Sequence, residues 1–572
     1  MALHGLGVAQ ERPAPARKVY FGDLHLHTSF SLDSFILNGR TLDPGDAYRF
    51  ARGEPVSWMG GTIRRNRPLD FIAITDHVEN LGLSSQLADP GSPVFRSDLG
   101  KVYLEKGPFP FWSAIVSFIK AGRQIPGIPL GQFLADSWQR EIDAANAAYE
   151  PGRFTTFIGF EWTSYPDGQN LHRNVIFRDH APPAPFSSYE SQHPEDLWTW
   201  LERIRAQGHE AMAIPHNANA SNGLMYDWTD SDGRPIDAAY ARSRVDNEPL
   251  SEIVQSKGQS DTHPLLSRAD PFADFEIFAH LLASERVGKV SGSYAREAFG
   301  RGLVIAERTG INPYSFGVVG GTDFHNGVST AAENAYAGDM IGIDPAAEAF
   351  TREAAAARLR PGNTSSGSVQ RLETSSGALT GVWAEENTRP AIYAALRRKE
   401  TFATSGTQIQ VRFFAGWSFP DDILNRRQWA GVAYGSGVPM GGELAPSRAD
   451  GTGPRFLVWA RKDPYGAMLE RLQIIKVWSE RGAARERIFD VRVVSGKEGS
   501  DPRGAAELKA LWRDPEFDPA QASLYYVRVL EVPSPRWSTL LATRYGVPPP
   551  SGTAPHIQER AWSSPIWYTP RR

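Results

Sequence analysis

Short apolar runs ending on histidine or a carboxylate, where a turn residue would be ordinary, recur along this chain: VYFGDLHLH (19–27), DFIAITDH (70–77), RFTTFIGFEW (153–162), HEAMAIPHN (209–217) and SFGVVGGTDFH (315–325). Runs of this length, rich in β-branched and aromatic residues, read as buried strands. Helical patterns lie between several of them, over Trp138–Tyr149, Pro194–Gln207, Ile277–Leu282 and Ser293–Arg308, with a last one over Arg389–Arg398. Strands alternating with helices predict an α/β core around a parallel sheet, open or barrel-like. Both architectures place ligands beyond the carboxyl ends of the strands. Asp23, His25, His27, Asp76, His77, Glu161, His216, Asp323 and His325 all fall at or just past such ends, so the strand ends are expected to converge on one charged centre.

At 572 residues the chain exceeds one ordinary hydrophobic core. Beyond Thr407 the pattern changes: QIQVRFFAG, RFLVWARKD, LERLQIIKVW, ERIFDVRVVSG and ASLYYVRVLEVP are strand-like, with little helix between them. The expected organisation is a flexible N-terminal segment over 1–17, an α/β domain over 18–406, and a β-rich domain over 407–572 packed on it. Connections are long near 41–66 and 84–135, the second rich in Gly, Pro and aromatics. Such lengths suit lids or specificity walls better than plain turns. The ending ERAWSSPIWYTP (559–570) is too aromatic for a solvated tail and is expected to seal the barrel or form a dimer contact.

Composition removes several classes of function. Basic and acidic residues nearly balance, 61 against 65, without a long Lys/Arg block, so no nucleic-acid partner is expected. There is no cysteine, which excludes disulfides, thiolate metal sites and cysteine nucleophiles. No stretch approaches 18 uninterrupted apolar residues, so the chain reads as soluble, without a membrane partner. It would be cytoplasmic, or periplasmic or secreted if a leader has been removed or replaced. No GxSxG or serine triad pattern occurs, and Gly320–Gly321 lacks the lysine and helix of a phosphate loop.

What remains is nitrogen and oxygen chemistry. His25 and His27 are two apart, so on a strand they point to one side and can share a cation; a polar surface strand is the plain alternative. Asp323 and His325 repeat the spacing after another apolar run. Glu161 ends a run that would otherwise bury its charge, which demands a cationic partner, either metal or an arginine such as Arg173. His172 in QNLHRNVIF and His216 are the natural imidazoles to join it, and His77 follows Asp76 at another strand end. Mixed imidazole and carboxylate ligands suit Mn, Zn or Fe.

These segments, GDLHLHTSFSLDSF, ITDH, Glu161, His172, His216 and TDFH, resemble the ligand set of the polymerase and histidinol phosphatase (PHP) superfamily. GDLHLHTSFSLD, GFEWTS, NLHRNVIF and RRKETFATSG are similar to its DUF3604 branch. The resemblance implies a distorted (β/α)7 barrel holding two or three divalent ions and, mostly, phosphoester hydrolysis. Carried residue by residue, it implies that His25, His27, Glu161 and Asp323 surround one ion, that Glu161 bridges to a second held by His172 and His216, and that Asp33, His77 and His325 enclose a third. Many superfamily members carry histidine where Asp33 stands.

The leading reading is a hydrolase that cleaves a small phosphomonoester or phosphodiester with a metal-bridging hydroxide. The same activated water would serve a non-phosphate ester, lactone, sulfate or amide, and a noncatalytic metal-stabilised carbohydrate-binding or scaffold protein is the alternative from another class. Asp23 and Asp76 either orient His25 and His77 through their distal ring nitrogens or cap a loop or helix. Lys257 and Arg173 are the expected anion-binding groups, a solvated loop lysine being the plain alternative for the first, and a metal-bound water or His263 the general acid. Trp58, Trp138, Trp162 and Trp383 either line a pocket or pack in the core. The expected partner is a small anionic molecule, with homo-oligomerisation left open.

Overall fold

The computed structural model describes residues 17–38, 42–121, 123–125, 128, 130–282, 284–339, 351–361, 371–446, 452–494 and 504–571. All but the last residue of the expected flexible N-terminal segment lies outside them.

The architecture is mixed α/β, with 13 α-helices among the described residues and a 13-stranded sheet as its spine. Lys18–Asp23, Phe71–Ala73 and Thr155–Trp162 run parallel side by side. Phe71–Ala73 and Thr155–Trp162 are buried along their whole length, as strands covered on both faces must be. Next come Arg173–Phe177 and Ala211–Pro215, each antiparallel to its neighbour. The link from Trp162 to Arg173 is too short for the crossover of a dozen or more residues that a parallel return requires. Leu250–Gln255 and Gly317–Gly320 pair in parallel, but in a separate three-stranded sheet. The hydrogen-bonded pattern of the described residues is therefore a mixed α/β sheet plus a smaller one, whose strands are not all parallel as the expected core would have them.

On its other side Lys18–Asp23 pairs antiparallel with Leu379–Ala384, which pairs with Thr401–Thr404. The sheet then continues across residue 407 without a break. Arg560–Ser563 lies between Thr401–Thr404 and Ser523–Glu531, and Ile566–Tyr568 continues along the same edge of Ser523–Glu531, whose other edge pairs with Leu469–Glu480. The aromatic ending thus supplies two strands of the main sheet. A second, four-stranded antiparallel sheet contains Gln410–Gly416, Arg455–Arg461 and Glu507–Arg513.

Helices pack on the sheet as their patterns dictate. Pro194–Ala206 begins with proline, carries Glu195 and Asp196 in its first turn and Arg203 and Arg205 in its last, and buries Leu197, Trp198, Leu201 and Ile204, matching the helix dipole and a single apolar face. Ala295–Thr309 and Arg389–Arg397 lie where the sequence placed them. The expected helix over Ile277–Leu282 is absent: the segment is irregular, tied by a bridge from His280 to Val287. Conversely, the region read as a loop over 84–135 is largely helical, with helices over Asp98–Lys106, Pro108–Lys120 and Leu130–Ala148. Trp58, Trp138, Trp162 and Trp383 are all core residues.

Candidate metal centre

Backbone pairing just past the strand ends brings the histidine motifs together. Leu26 bridges Phe324 in parallel, with Asp323 N donating to His25 O at 2.8 Å and His27 N to Phe324 O at 2.9 Å. His25–His27 and Asp323–His325 are thereby laid side by side. His77 likewise bridges Glu161, and His216 N donates to His172 O at 3.3 Å. Asp323 and Asn217 adopt left-handed backbone, with φ of 54° and 51°, a strained region for non-glycine residues that clusters at functional sites.

Glu161 sits at the middle and is 1% exposed. Its Oε2 lies 3.2 Å from His25 Nε2 and 3.1 Å from His27 Nε2. Its Oε1 lies 2.5 Å from His172 Nδ1 and 3.4 Å from both His77 Nδ1 and His216 Nε2. One carboxylate thus faces five imidazoles; burial pushes it up, but the neighbouring rings, His77 foremost, hold it well below the usual carboxylate range. Asp323 divides its oxygens. Oδ1 lies 3.2 Å from His25 Nε2 and 3.3 Å from His27 Nε2, while Oδ2 accepts from Lys257 Nζ at 2.5 Å, Gln255 Nε2 at 2.6 Å and Asn217 Nδ2 at 3.3 Å. Asp33 Oδ2 is 3.2 Å from His77 Nε2 and 3.1 Å from His325 Nε2.

Among the described residues, three groups of side chains offer ligand atoms within 4.8 Å of one another: His25, His27, Glu161 and Asp323; Glu161, His172 and His216; and His27, His77 and His325. The residues fit divalent cations on an observation independent of spacing. His172 Nε2 and both ring nitrogens of His216 are buried with no hydrogen-bond partner, although buried polar atoms are nearly always satisfied. Burial pushes both rings down to about 4, so they are neutral at pH 7, the state that ligates metal.

Around this cluster, the distal nitrogens find partners other than those expected. Nδ1 of His25 lies 3.2 and 3.1 Å from Oε1 and Oε2 of Glu252, and Nδ1 of His77 lies 2.7 Å from Thr163 Oγ1. Asp23 and Asp76 touch neither ring. Asp23 accepts from His25 N, Thr322 N, Thr322 Oγ1 and Ser329 Oγ; Asp76 accepts from Thr28 N, Thr28 Oγ1 and Ser31 N. Both tie down the loops that carry the histidines. Two further expectations are corrected. Arg173 points away from the cluster: its Nε donates to Glu248 Oε1 at 2.9 Å and its guanidinium lies 5.8 Å from the Trp162 ring centre. On a strand, the residue after His172 faces the opposite side. His263 sits in a turn, where its Nδ1 accepts from Leu265 N at 3.1 Å, and it does not line the pocket.

The pocket over the centre has a volume of about 100 Å³. Asp33, His77, Glu161, His172, Asp323 and His325 reach it, with Lys257 and Asn217 beside them. Its remaining wall includes Leu32, Trp112, Val116, Ile119, Tyr165 and Leu282. Sequence reasoning missed Glu252, whose signal was a lone carboxylate inside the apolar run LSEIVQ, and Trp112 and Asn80, which belong to connections with no pattern to read.

A family model described as "Protein of unknown function (DUF3604)" matches residues 14–503 and 494–570. No curated protein matches the chain. Among solved structures, a protein from Bacteroides vulgatus, described as a two-domain protein containing a predicted PHP-like metal-dependent phosphoesterase, is 12% identical with a TM-score of 0.31, over 96% of this chain and 100% of that one. No helix among the described residues is long and apolar enough to cross a membrane. With a family match running over nearly its entire length, the chain belongs to the DUF3604 family.

Proposed function

We propose that the protein is a metal-dependent hydrolase acting on a small phosphoester. The observation that carries this reading is Glu161, one buried carboxylate facing five imidazoles, several of whose nitrogens have no protein partner. His25, His27, Glu161 and Asp323 would hold one cation and Glu161, His172 and His216 a second, with His27, His77, His325 and Asp33 around a third position. Bound divalent cations supply Lewis acidity and lower the pKa of water at the site.

The chain's own residues account for the rest. Glu161 and Asp323 reduce the charge of the cluster, while the imidazoles fix geometry without adding charge. Lys257 holds Asp323 Oδ2 at 2.5 Å and places a buried positive charge on the pocket lining, where it attracts an anionic group. Glu252 orients His25. The ligand residues also open onto a pocket, as a catalytic site requires and a closed structural site does not.

The test is metal analysis of the purified protein, coupled to turnover of phosphomonoesters, phosphodiesters, sulfate esters and carboxylic esters by the metal-loaded protein. Phosphoester hydrolysis that falls with bound metal in Glu161→Ala supports the proposal. Retained turnover in a metal-free Glu161→Ala protein, or turnover of the non-phosphate esters alone, refutes it.

A further inference from the structure

Resting on the hydrolase reading above, we propose that Asn80 and the Pro108–Lys120 helix form a leaving-group pocket for an apolar, ring-sized alcohol or phenol bearing a neutral hydrogen-bond acceptor.

The pocket is two-sided. Metal-ligand candidates and Lys257 form one side, and the helix forms the other. Trp112, Val116 and Ile119 are spaced i, i+4 and i+7, so they share one helix face, and all three line the pocket. The neighbouring face is anchored: Phe111 and Ile115 are fully buried in a cluster with Phe35, Leu83 and Leu87. The apolar wall is thus a fixed surface. The volume of about 100 Å³ is of the same order as the roughly 150 Å³ apolar cavity that accepts benzene. That volume, part of which lies over the metal-ligand candidates, matches a group of ring size.

Asn80 supplies a polar feature on this side that the metal site does not explain. It lines the pocket and is 3% exposed. Its Oδ1 accepts from the Tyr189 hydroxyl at 3.0 Å, while its Nδ2 has no partner. A buried donor left unsatisfied destabilises the protein unless something arrives to accept from it. The amide is also held in place. Asn80 has φ of 67°, which asparagine tolerates better than most residues, and the preceding Glu79 is pinned by Thr163 N at 3.0 Å and Ser188 N at 2.5 Å. A preorganised donor binds without paying to order itself. Because Glu79 and Asp33 also line the pocket, an anionic acceptor would be repelled, so the matching group is neutral, such as a carbonyl.

The test uses the metal-loaded full chain and two phosphate esters of similar shape, 4-acetylphenyl phosphate and 4-isopropylphenyl phosphate, the second lacking the acceptor. The expected result is a KM about tenfold lower for the acetyl ester; kcat is not compared, because the acetyl phenol is the more acidic leaving group. Asn80→Asp keeps the acceptor for Tyr189 but removes the free donor, and should abolish or reverse the preference; Asn80→Gly, which suits the same backbone, should abolish it. Trp112→Ala should raise KM for both esters and leave their ratio intact. Binding of the corresponding phenols, measured by calorimetry, should follow the same order. Equal KM for the two esters in the unaltered protein, or a KM ratio unchanged in both Asn80 variants, overturns the proposal. If neither ester is hydrolysed but the acetyl phenol still binds preferentially in an Asn80-dependent way, the leaving-group pocket stands and the phosphoester reading falls.

Discussion

Both carboxylate oxygens of Glu252 face Nδ1 of His25, at 3.2 and 3.1 Å. That contact orients the ring so that Nε2 points at Glu161 and Asp323, the side from which it would ligate a cation. Glu252→Ala is expected to weaken metal binding about 10- to 100-fold. Metal retained after dialysis against a weak chelator measures it, and wild-type retention would rule the orienting role out.

Gly321 lies against the same pair. A Cβ there would come within 2.4 Å of Glu252 Oε2 and 2.7 Å of His25 Cβ, so alanine must push the carboxylate off the ring. Gly321→Ala should therefore copy the Glu252→Ala defect, roughly tenfold in metal affinity, with an unaltered circular dichroism spectrum. Combining the two substitutions should add little, because both act through one contact.

Most ligand candidates were legible because they end apolar runs, which Asp33, in the helix Leu32–Asn38, and His172, before the strand Arg173–Phe177, do not; period-two alternation then fixes which side chain points where. The same rule explains an error: Arg173 was grouped with His172 by adjacency in sequence, yet adjacent strand residues face opposite ways. Glu252 was overlooked in favour of Lys257 because it sits inside a strand, where only a buried partner reveals its purpose. The helix of Trp112 was hidden because PFPFWSAIVSFIK is apolar on almost every face, leaving no periodicity to detect. Pairing direction in the sheet was not encoded in the strands at all, since it depends on how far each connection can reach.

A buried charge cluster joins the two halves of the chain. Asp270 accepts from Arg296 Nη1 at 2.8 Å and from Arg528 Nη1 and Nη2 at 2.8 and 2.7 Å. Asp270→Ala would leave two buried guanidinium groups short of a counter-charge and should destabilise the protein by about 3–5 kcal/mol. Chemical denaturation measures this, and a loss within experimental error would show that other acids, such as Asp261, suffice.

Glu531 should make stability depend on pH. Burial, with Asp463 adding to it, pushes its carboxyl up to about 8, although Ala467 N donates to it. The folded state therefore keeps a proton that the unfolded state releases above its ordinary value of 4.5. The stabilisation is complete below that value and drains away as pH climbs through about 8. Glu531→Gln, which stays neutral throughout, should flatten the fall in unfolding temperature between pH ~5 and ~8. An identical slope in the variant would count against a protonated Glu531.

Arg560–Ser563 occupies a slot between Thr401–Thr404 and Ser523–Glu531. During synthesis, the edge of Thr401–Thr404 therefore waits for a neighbour encoded more than 150 residues later. Until that neighbour emerges from the ribosome, the amino-terminal half presents an open strand edge, the kind of surface to which stray chains adhere.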